Sequence, residues 1–354
     1  MKTKTKKMKQ TALFMSVLFV AAALSFVGCY PTDFGGSDSG MQGEIETQYA
    51  AAGPYDTSRT SVSGYSIYYP ANMTGDHPII TWGNGTGAMT ASYAGLLDHL
   101  ASWGFVVIAS SSTMTGTGDE MVGGIDYLIE ADSDPDSEFH GMLNTDKIGA
   151  TGHSQGGGGA INAATDPRVT CSAPIAPAPG NAAQVEGPML LIAGGQDAIV
   201  SASLVRMTSF SLVRCPTIFA IEQSMGHMDF AFNGGNARGY LTAWFMYLLQ
   251  NDAAAAQAFI GECEICSNAN WEVEKKNFEA MGSPEEGTTV PDGNEEDSDS
   301  DSTVTPDTGI GGCDGYSPDY GSGYGDAIDV GDGIGGCSGY SSDFSGFGGL
   351  GSDE

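Results

Sequence analysis

The pentapeptide Gly152-His153-Ser154-Gln155-Gly156 stands where an apolar run, Lys147 to Thr151, gives way to a small-residue segment ending at Ala164. A serine hydroxyl is a poor nucleophile unless a tight turn exposes it beside a base, and flanking glycines let such a turn close without side-chain clashes. In a chain with 52 glycines the pentapeptide alone is a weak signal, and Gly321-Ser322-Gly323 comes close to repeating it. A strand before Ser154 and a helix after it, with its positive end toward the serine, single it out. The pattern implies a nucleophilic serine, whose usual chemistry is acyl transfer.

An acid and a base follow in chain order. Met189 to Ala193 reads as a buried parallel strand running into Gly194-Gly195-Gln196-Asp197, and Thr217 to Ile221 reads as the next, running through Glu222 to His227. Sites in open parallel sheets lie at the carboxyl ends of strands, and both residues fall there. His227 would take the Ser154 proton and return it to the leaving group, while Asp197 orients the imidazole and stabilises its cation. Asp229, Asp166 and Glu222 are rival acids, but Asp229 is only two residues from His227 and Glu222 ends the strand of the base itself. Of the five histidines, His77, His99 and His140 precede the serine, and His153 adjoins it, too close to serve as its base.

Acyl transfer also needs backbone donors for the oxyanion. One is the N–H of Gln155, and the other is expected in Gly83-Asn84-Gly85-Thr86-Gly87, the loop after a strand over Pro78 to Trp82. Thr86 is the chosen donor; the alternative is a plain Gly-rich turn before a helix over Ala91 to Trp103.

Between about Tyr65 and about Cys263 the chain resembles the bacterial cutinases and poly(ethylene terephthalate) hydrolases, which shade into dienelactone-hydrolase and chlorophyllase-like enzymes. The resemblance is carried by Leu100-Ala101-Ser102-Trp103-Gly104-Phe105-Val106-Val107-Ile108, by Gly152 to Gly159, by Ala173-Pro174-Ile175-Ala176-Pro177, and by the settings of Asp197 and His227. It implies one α/β-hydrolase domain, a mostly parallel twisted sheet with helices on both faces, and a serine esterase that needs no metal or other cofactor. The stretch from Ala178 to Pro188 is too short for a cap domain. Where the family usually has an aromatic after the loop glycine this chain has Thr86, and where the family usually has tryptophan after the Ala-Pro run it has Ala178. Both halves of an aromatic clamp for a terephthalate ring are therefore missing. The rival to an ester hydrolase is a catalytically silent surface lipoprotein that uses the fold for binding.

The ends of the chain speak to location. Lys2, Lys4, Lys6, Lys7 and Lys9 precede an apolar stretch, Thr11 to Val27, as in an export signal. Phe26-Val27-Gly28-Cys29 resembles a lipobox, which would lipidate Cys29; the alternative is ordinary cleavage and secretion. The expected organisation is a signal at 1–28, a linker at 29–43, the catalytic domain at 44–282 and an acidic tail at 283–354. The domain is expected as a monomer on an outer-membrane or cell-surface anchor, or free. Its length, about 240 residues, suffices for one buried sheet.

Setting Cys29 aside leaves six of the seven cysteines, Cys171, Cys215, Cys263, Cys266, Cys313 and Cys337, for disulfides in an exported chain. Cys171 and Cys215 could instead be buried thiols. The tail carries no Lys or Arg, and its Gly309 to Tyr320 segment recurs at Gly333 to Phe344. It reads as a disordered acidic appendage or as a small attachment element. A net charge of −31 excludes nucleic acid as a partner, because phosphates demand the opposite sign.

Overall fold

The computed structural model describes residues 43–278 and Met281. The export segment, Cys29, Cys313, Cys337 and the tail from 283 lie outside the described residues.

The strands are β1 (Thr57–Val62), β2 (Tyr65–Pro70), β3 (His77–Gly83), β4 (Val106–Ser110), β5 (Leu143–His153), β6 (Val169–Ile175), β7 (Met189–Gly194), β8 (Thr217–Glu222) and β9 (Trp271–Lys276). They form one sheet in the order β1-β2-β4-β3-β5-β6-β7-β8-β9. From β4 through β8 the neighbours pair parallel, while β1, β2 and β9 pair antiparallel at the edges. The helices are α1 (Glu44–Ala50), α2 (Ala94–Ser102), α3 (Asp119–Ser133), α4 (Gln155–Ala163), α5 (Ala202–Val205), α6 (Arg238–Gln250), α7 (Ala253–Ala256) and α8 (Glu264–Ser267).

Continuous apolar runs in the central strands serve two cores, because successive side chains point to opposite faces. Ile80, Val107, Leu190, Ile192 and Ile218 join one cluster with Leu97 of α2 and Trp244 of α6. Their chain neighbours Ile79, Val106, Ile108, Leu191 and Phe219 join the other, with Ile125 of α3 and Ile161 of α4. This is the α/β-hydrolase sheet with helices on both faces. The chain leaves β3 toward β4 on one side, whereas β5 lies on the other, so the loops after β3 and β5 flank the crevice where strand order reverses. The connection from β6 to β7 holds only a single 3-10 turn, Ala182–Gln184, and no cap.

Two boundaries differ from the sequence reading. The helix expected from Ala91 opens as a 3-10 turn, Thr90–Tyr93, and is α-helical only from Ala94. β5 starts at Leu143, because its polar lead-in pairs with the start of β3 without adding apolar signal. α4 begins directly at Gln155 and contains the four glycines Gly156 to Gly159. Among the described cysteines, Cys263 and Cys266 form a disulfide, and Cys171 and Cys215 are free and buried.

At the far edge, α1 is held by two carboxylates. Glu264 accepts the N–H groups of Ile45 (2.9 Å) and Glu46 (3.0 Å) and the Tyr240 hydroxyl (3.0 Å). Glu46, fully buried, accepts Trp271 Nε1–H at 2.8 Å and Asn268 Nδ2–H at 2.9 Å. Removing the Glu46 carboxylate strands the buried Trp271 and Asn268 donors and the Gly43 N–H. Glu46→Ala is therefore expected to lower stability by about 3 kcal/mol in denaturant melts, with activity of the folded fraction retained.

Two histidines, the buried His153 and the partly buried His99, give stability a pH dependence of known sign. Burial, with Arg238 nearby, pushes His99 down to about 4 from the ordinary 6.5. Burial, with the neighbouring His227 ring, pushes His153 down to about 3. The unfolded chain takes up these protons at a pH where the native state still refuses them, so stability is full above about 6.5 and falls as pH drops below it. Each group contributes a slope of up to about 1.4 kcal/mol per pH unit. Urea midpoints should fall across this window, and the fall should be shallower in His99→Asn.

Candidate active site

Ser154 sits between β5 and α4 at φ 58° and ψ −118°, a left-handed turn that an L-residue adopts only under constraint. Its N–H donates to Ile175 O at 2.9 Å, and its own carbonyl accepts the N–H groups of Gly158 (3.1 Å) and Ala178 (2.9 Å). The flanking glycines are required by close approach. A Cβ on Gly152 would lie 2.5 Å from Gly156 O, and one on Gly156 would lie 2.1 Å from Gly83 O.

The side chains of Ser154, Asp197 and His227 meet here. His227 Nε2 lies 2.9 Å from Ser154 Oγ, and His227 Nδ1 lies 2.6 Å from Asp197 Oδ2. All three are buried. Asp197 Oδ1 accepts the N–H groups of Ile199 and Val200 at 2.7 Å each, which aims the other oxygen at the imidazole. Burial alone would push the Asp197 carboxyl up, but the hydrogen bonds from His227, Val200 and Ile199 outweigh it and hold the group below its ordinary value. An ionised carboxylate can only accept, so Nδ1 carries the ring proton and Nε2 is left to accept from the serine.

The rival acids are engaged elsewhere. Asp229 accepts the Gly226 N–H at 2.6 Å, Asp166 pairs with Arg168 at 2.7 Å, and Glu222 accepts the N–H groups of Ser224 (2.9 Å) and Met225 (2.7 Å). The other early histidines bond backbone oxygens: His77 faces Gly104 O, His99 faces Tyr49 O and His140 faces Asp132 O.

Thr86 is exposed in the loop after β3, and Gln155 opens α4. Among the described residues, neither backbone N–H donates to a protein acceptor, which leaves both open to a ligand oxygen. The loop is pinned by Asn84, a residue that the sequence reading passed over. Its buried Nδ2 donates to Ser110 O (2.7 Å) and Ser112 O (3.0 Å), its Oδ1 accepts Trp82 Nε1–H (3.1 Å), and its carbonyl accepts the Thr115 hydroxyl (2.9 Å). An asparagine between two loop glycines was the available signal.

No aromatic stands at Thr86 or Ala178. The exposed apolar side chains next to the site are instead aliphatic or thioether ones: Met114, whose Sδ lies 3.6 Å from Gln155 Nε2, Met228 next to His227 in sequence, and Ile199 two residues from Asp197.

Comparison with known proteins finds several similar chains. A bis(hydroxyethyl) terephthalate hydrolase of Streptomyces coelicolor is 32% identical over 143 residues, 36% of this chain and 44% of that protein. Cutinase est2 of Thermobifida alba is 26% identical over 226 residues, 59% of this chain and 74% of the cutinase. Cutinase cut1 of Thermobifida fusca is 27% identical over 228 residues, 59% of this chain and 70% of the cutinase. The PET hydrolase-like family model matches residues 39–278, the whole sheet with its helices and all three converging side chains, and the chain belongs to that family.

Proposed function

We propose that the protein is an exported serine carboxylic ester hydrolase of cutinase or polyesterase type, with Ser154 as nucleophile, His227 as general base and acid, and Asp197 as the group that orients it. The observation that carries this reading is the continuous run Asp197–His227–Ser154, with separations of 2.6 Å and 2.9 Å, beside two uncommitted N–H groups.

The steps follow from the atoms. His227 Nε2 takes the Ser154 proton as Oγ attacks the acyl carbon, and the carbonyl oxygen becomes an oxyanion held by the N–H groups of Thr86 and Gln155. Collapse gives the acyl-serine ester while His227 returns the proton to the departing alcohol. A water, deprotonated by the same nitrogen, then attacks the acyl-enzyme, and a second collapse frees the acid and restores the serine. Asp197 stays ionised throughout, since its hydrogen bonds hold it low, and it stabilises the imidazolium in both halves.

Ser154→Ala removes the attacking atom but little packing. It is expected to lower turnover of a p-nitrophenyl ester at least about 10,000-fold while keeping the thermal midpoint. Substantial activity in a folded Ser154→Ala protein would refute the assignment.

Without a cap, the serine needs no interface to be uncovered, and flexible Met114 and Met228 suit aliphatic acyl chains better than rigid rings. Aromatic pairing is worth only about 0.5–1.5 kcal/mol beyond burial, so its loss at Thr86 and Ala178 weakens ring binding without touching the chemistry. Short soluble esters should be cleaved with no jump in rate at micelle formation, aliphatic polyesters more slowly, and terephthalate polyester least. A lag and then a sharp rise at an oil–water interface would contradict the open site.

A further inference from the structure

Tyr93 is 2% exposed and packs its ring on Trp82 with centroids 4.9 Å apart. Packing alone would accept phenylalanine, and a buried hydroxyl is costly unless its hydrogen-bonding capacity is used. Here both sides of the hydroxyl are used. Its oxygen accepts the Gly85 N–H at 3.2 Å and faces His153 Nδ1 at 3.0 Å. Across that ring, His153 Nε2 lies 2.9 Å from the backbone oxygen of His227.

Proton positions follow from the far end of this run. A carbonyl oxygen can only accept, so His153 Nε2 carries the proton. A neutral ring then offers Nδ1 as acceptor, the Tyr93 O–H donates to it, and the phenol oxygen is left to accept from Gly85. Burial pushes Tyr93 up to about 12, and burial beside His227 pushes His153 down to about 3, so neither group changes charge around neutral pH. The fit is close: a Cβ on Gly85 would lie 2.8 Å from the phenol oxygen.

Each residue of the run belongs to, or adjoins, a different part of the reaction centre. Gly85 precedes Thr86, His153 precedes Ser154, and His227 is the base itself. We infer that Tyr93 and His153 are positioning residues for ester hydrolysis, tying the oxyanion loop, the nucleophile turn and the backbone of the base into one register. The inference rests on the serine hydrolase reading. No proton travels along the run; it acts as a strut. Without the phenol hydroxyl the Gly85 N–H loses its acceptor, and His153 is free to take the other tautomer, which donates nothing to His227. The Thr86 donor and the imidazole then lose their shared reference. Both are needed most in the tetrahedral states, so kcat should fall rather than KM rise.

The test uses the full chain carrying Tyr93→Phe, His153→Asn or both, assayed on a soluble p-nitrophenyl ester and titrated with phenylboronic acid, which forms a tetrahedral adduct with the serine. Tyr93→Phe should lower kcat about 10- to 100-fold with KM little changed, and should weaken boronate binding in parallel. The double variant should lose little more than the worse single one, as members of one network do. Unchanged kcat in Tyr93→Phe, additive losses, or full boronate affinity would overturn the proposal. Nitrogen NMR of histidine-labelled parent protein gives a reading that needs no variant to fold. His153 should show a protonated Nε2 and a bare Nδ1 from about pH 5 to about pH 8; the opposite tautomer, or a titration in that range, would overturn it. A parent chain without Ser154-dependent turnover sinks the hydrolase reading, whereas a parent that hydrolyses ester and ignores Tyr93→Phe sinks this inference alone.

Discussion

Helix α4 has to lie against the sheet closely enough for its first N–H groups to face the serine, and backbone-to-backbone contact is the constraint from which the site follows. A Cβ on Gly156 would come within 2.1 Å of Gly83 O, and one on Gly159 within 2.0 Å of Thr115 O. Any side chain at these positions would lift the helix away. Glycine in a helix interior costs about 1 kcal/mol relative to alanine, so the run Gly156 to Gly159 sacrifices helix propensity for proximity. Because β3 and β5 pair through Gly83 and Gly152, the same contact brings the loop carrying Thr86 to the mouth of the turn carrying Ser154. Ser154 takes its left-handed backbone because the strand, the helix and the Ile175 carbonyl fix the chain on both sides of it.

Charge is divided across this site in a way that suits the proposed reaction. Among the described residues, the only carboxylate in contact with the reacting groups is Asp197, and its two oxygens are committed to two backbone donors and one imidazole. Positive charge appearing on His227 is thus met by a fixed, buried anion. Negative charge appearing on the substrate oxygen falls on the opposite side, at the N-terminal end of α4 and the Thr86 loop, where backbone dipoles and no formal charge await it. A chain of net charge −31 would hinder an oxyanion through any long-range field, but ions screen such a field over about 10 Å, and the local dipoles act at hydrogen-bond distance.

The parts legible in sequence were those whose local pattern has one physical cause. Fully buried parallel strands must be apolar without interruption, so β3, β7 and β8 stood out, and with them the loop positions of Thr86, Asp197 and His227. The edge strands were not recognised: β1 reads Thr57-Ser58-Arg59-Thr60-Ser61-Val62 and β9 reads Trp271-Glu272-Val273-Glu274-Lys275-Lys276, each with a half-exposed face that blurs the signal. Docking of α1 depends on Glu46 and Glu264, charged residues that composition assigns to the surface and that only distant partners can explain. The pairing of Cys263 with Cys266 was likewise open, since six cysteines allow 15 pairings and their positions do not choose among them. Tyr93 and Asn84 were invisible as site residues because their work is done through hydrogen bonds that a helix face and a loop composition do not announce.

His153 and His227 show why residue type and proximity to the serine do not by themselves assign a role. Their ring centroids are 4.7 Å apart, and both are buried. His227 has a carboxylate on Nδ1, so protonating its free nitrogen creates an ion pair that burial strengthens. His153 has a phenol on one nitrogen and a carbonyl on the other, so protonating it would create an unpaired cation in the core. In the proposed reaction a proton released by Ser154 therefore stays on His227 although a second imidazole is within van der Waals reach. That refusal confines the proton to the nitrogen facing the leaving group, and it is what allows a histidine beside the nucleophile to serve as a rigid part rather than as a competing base.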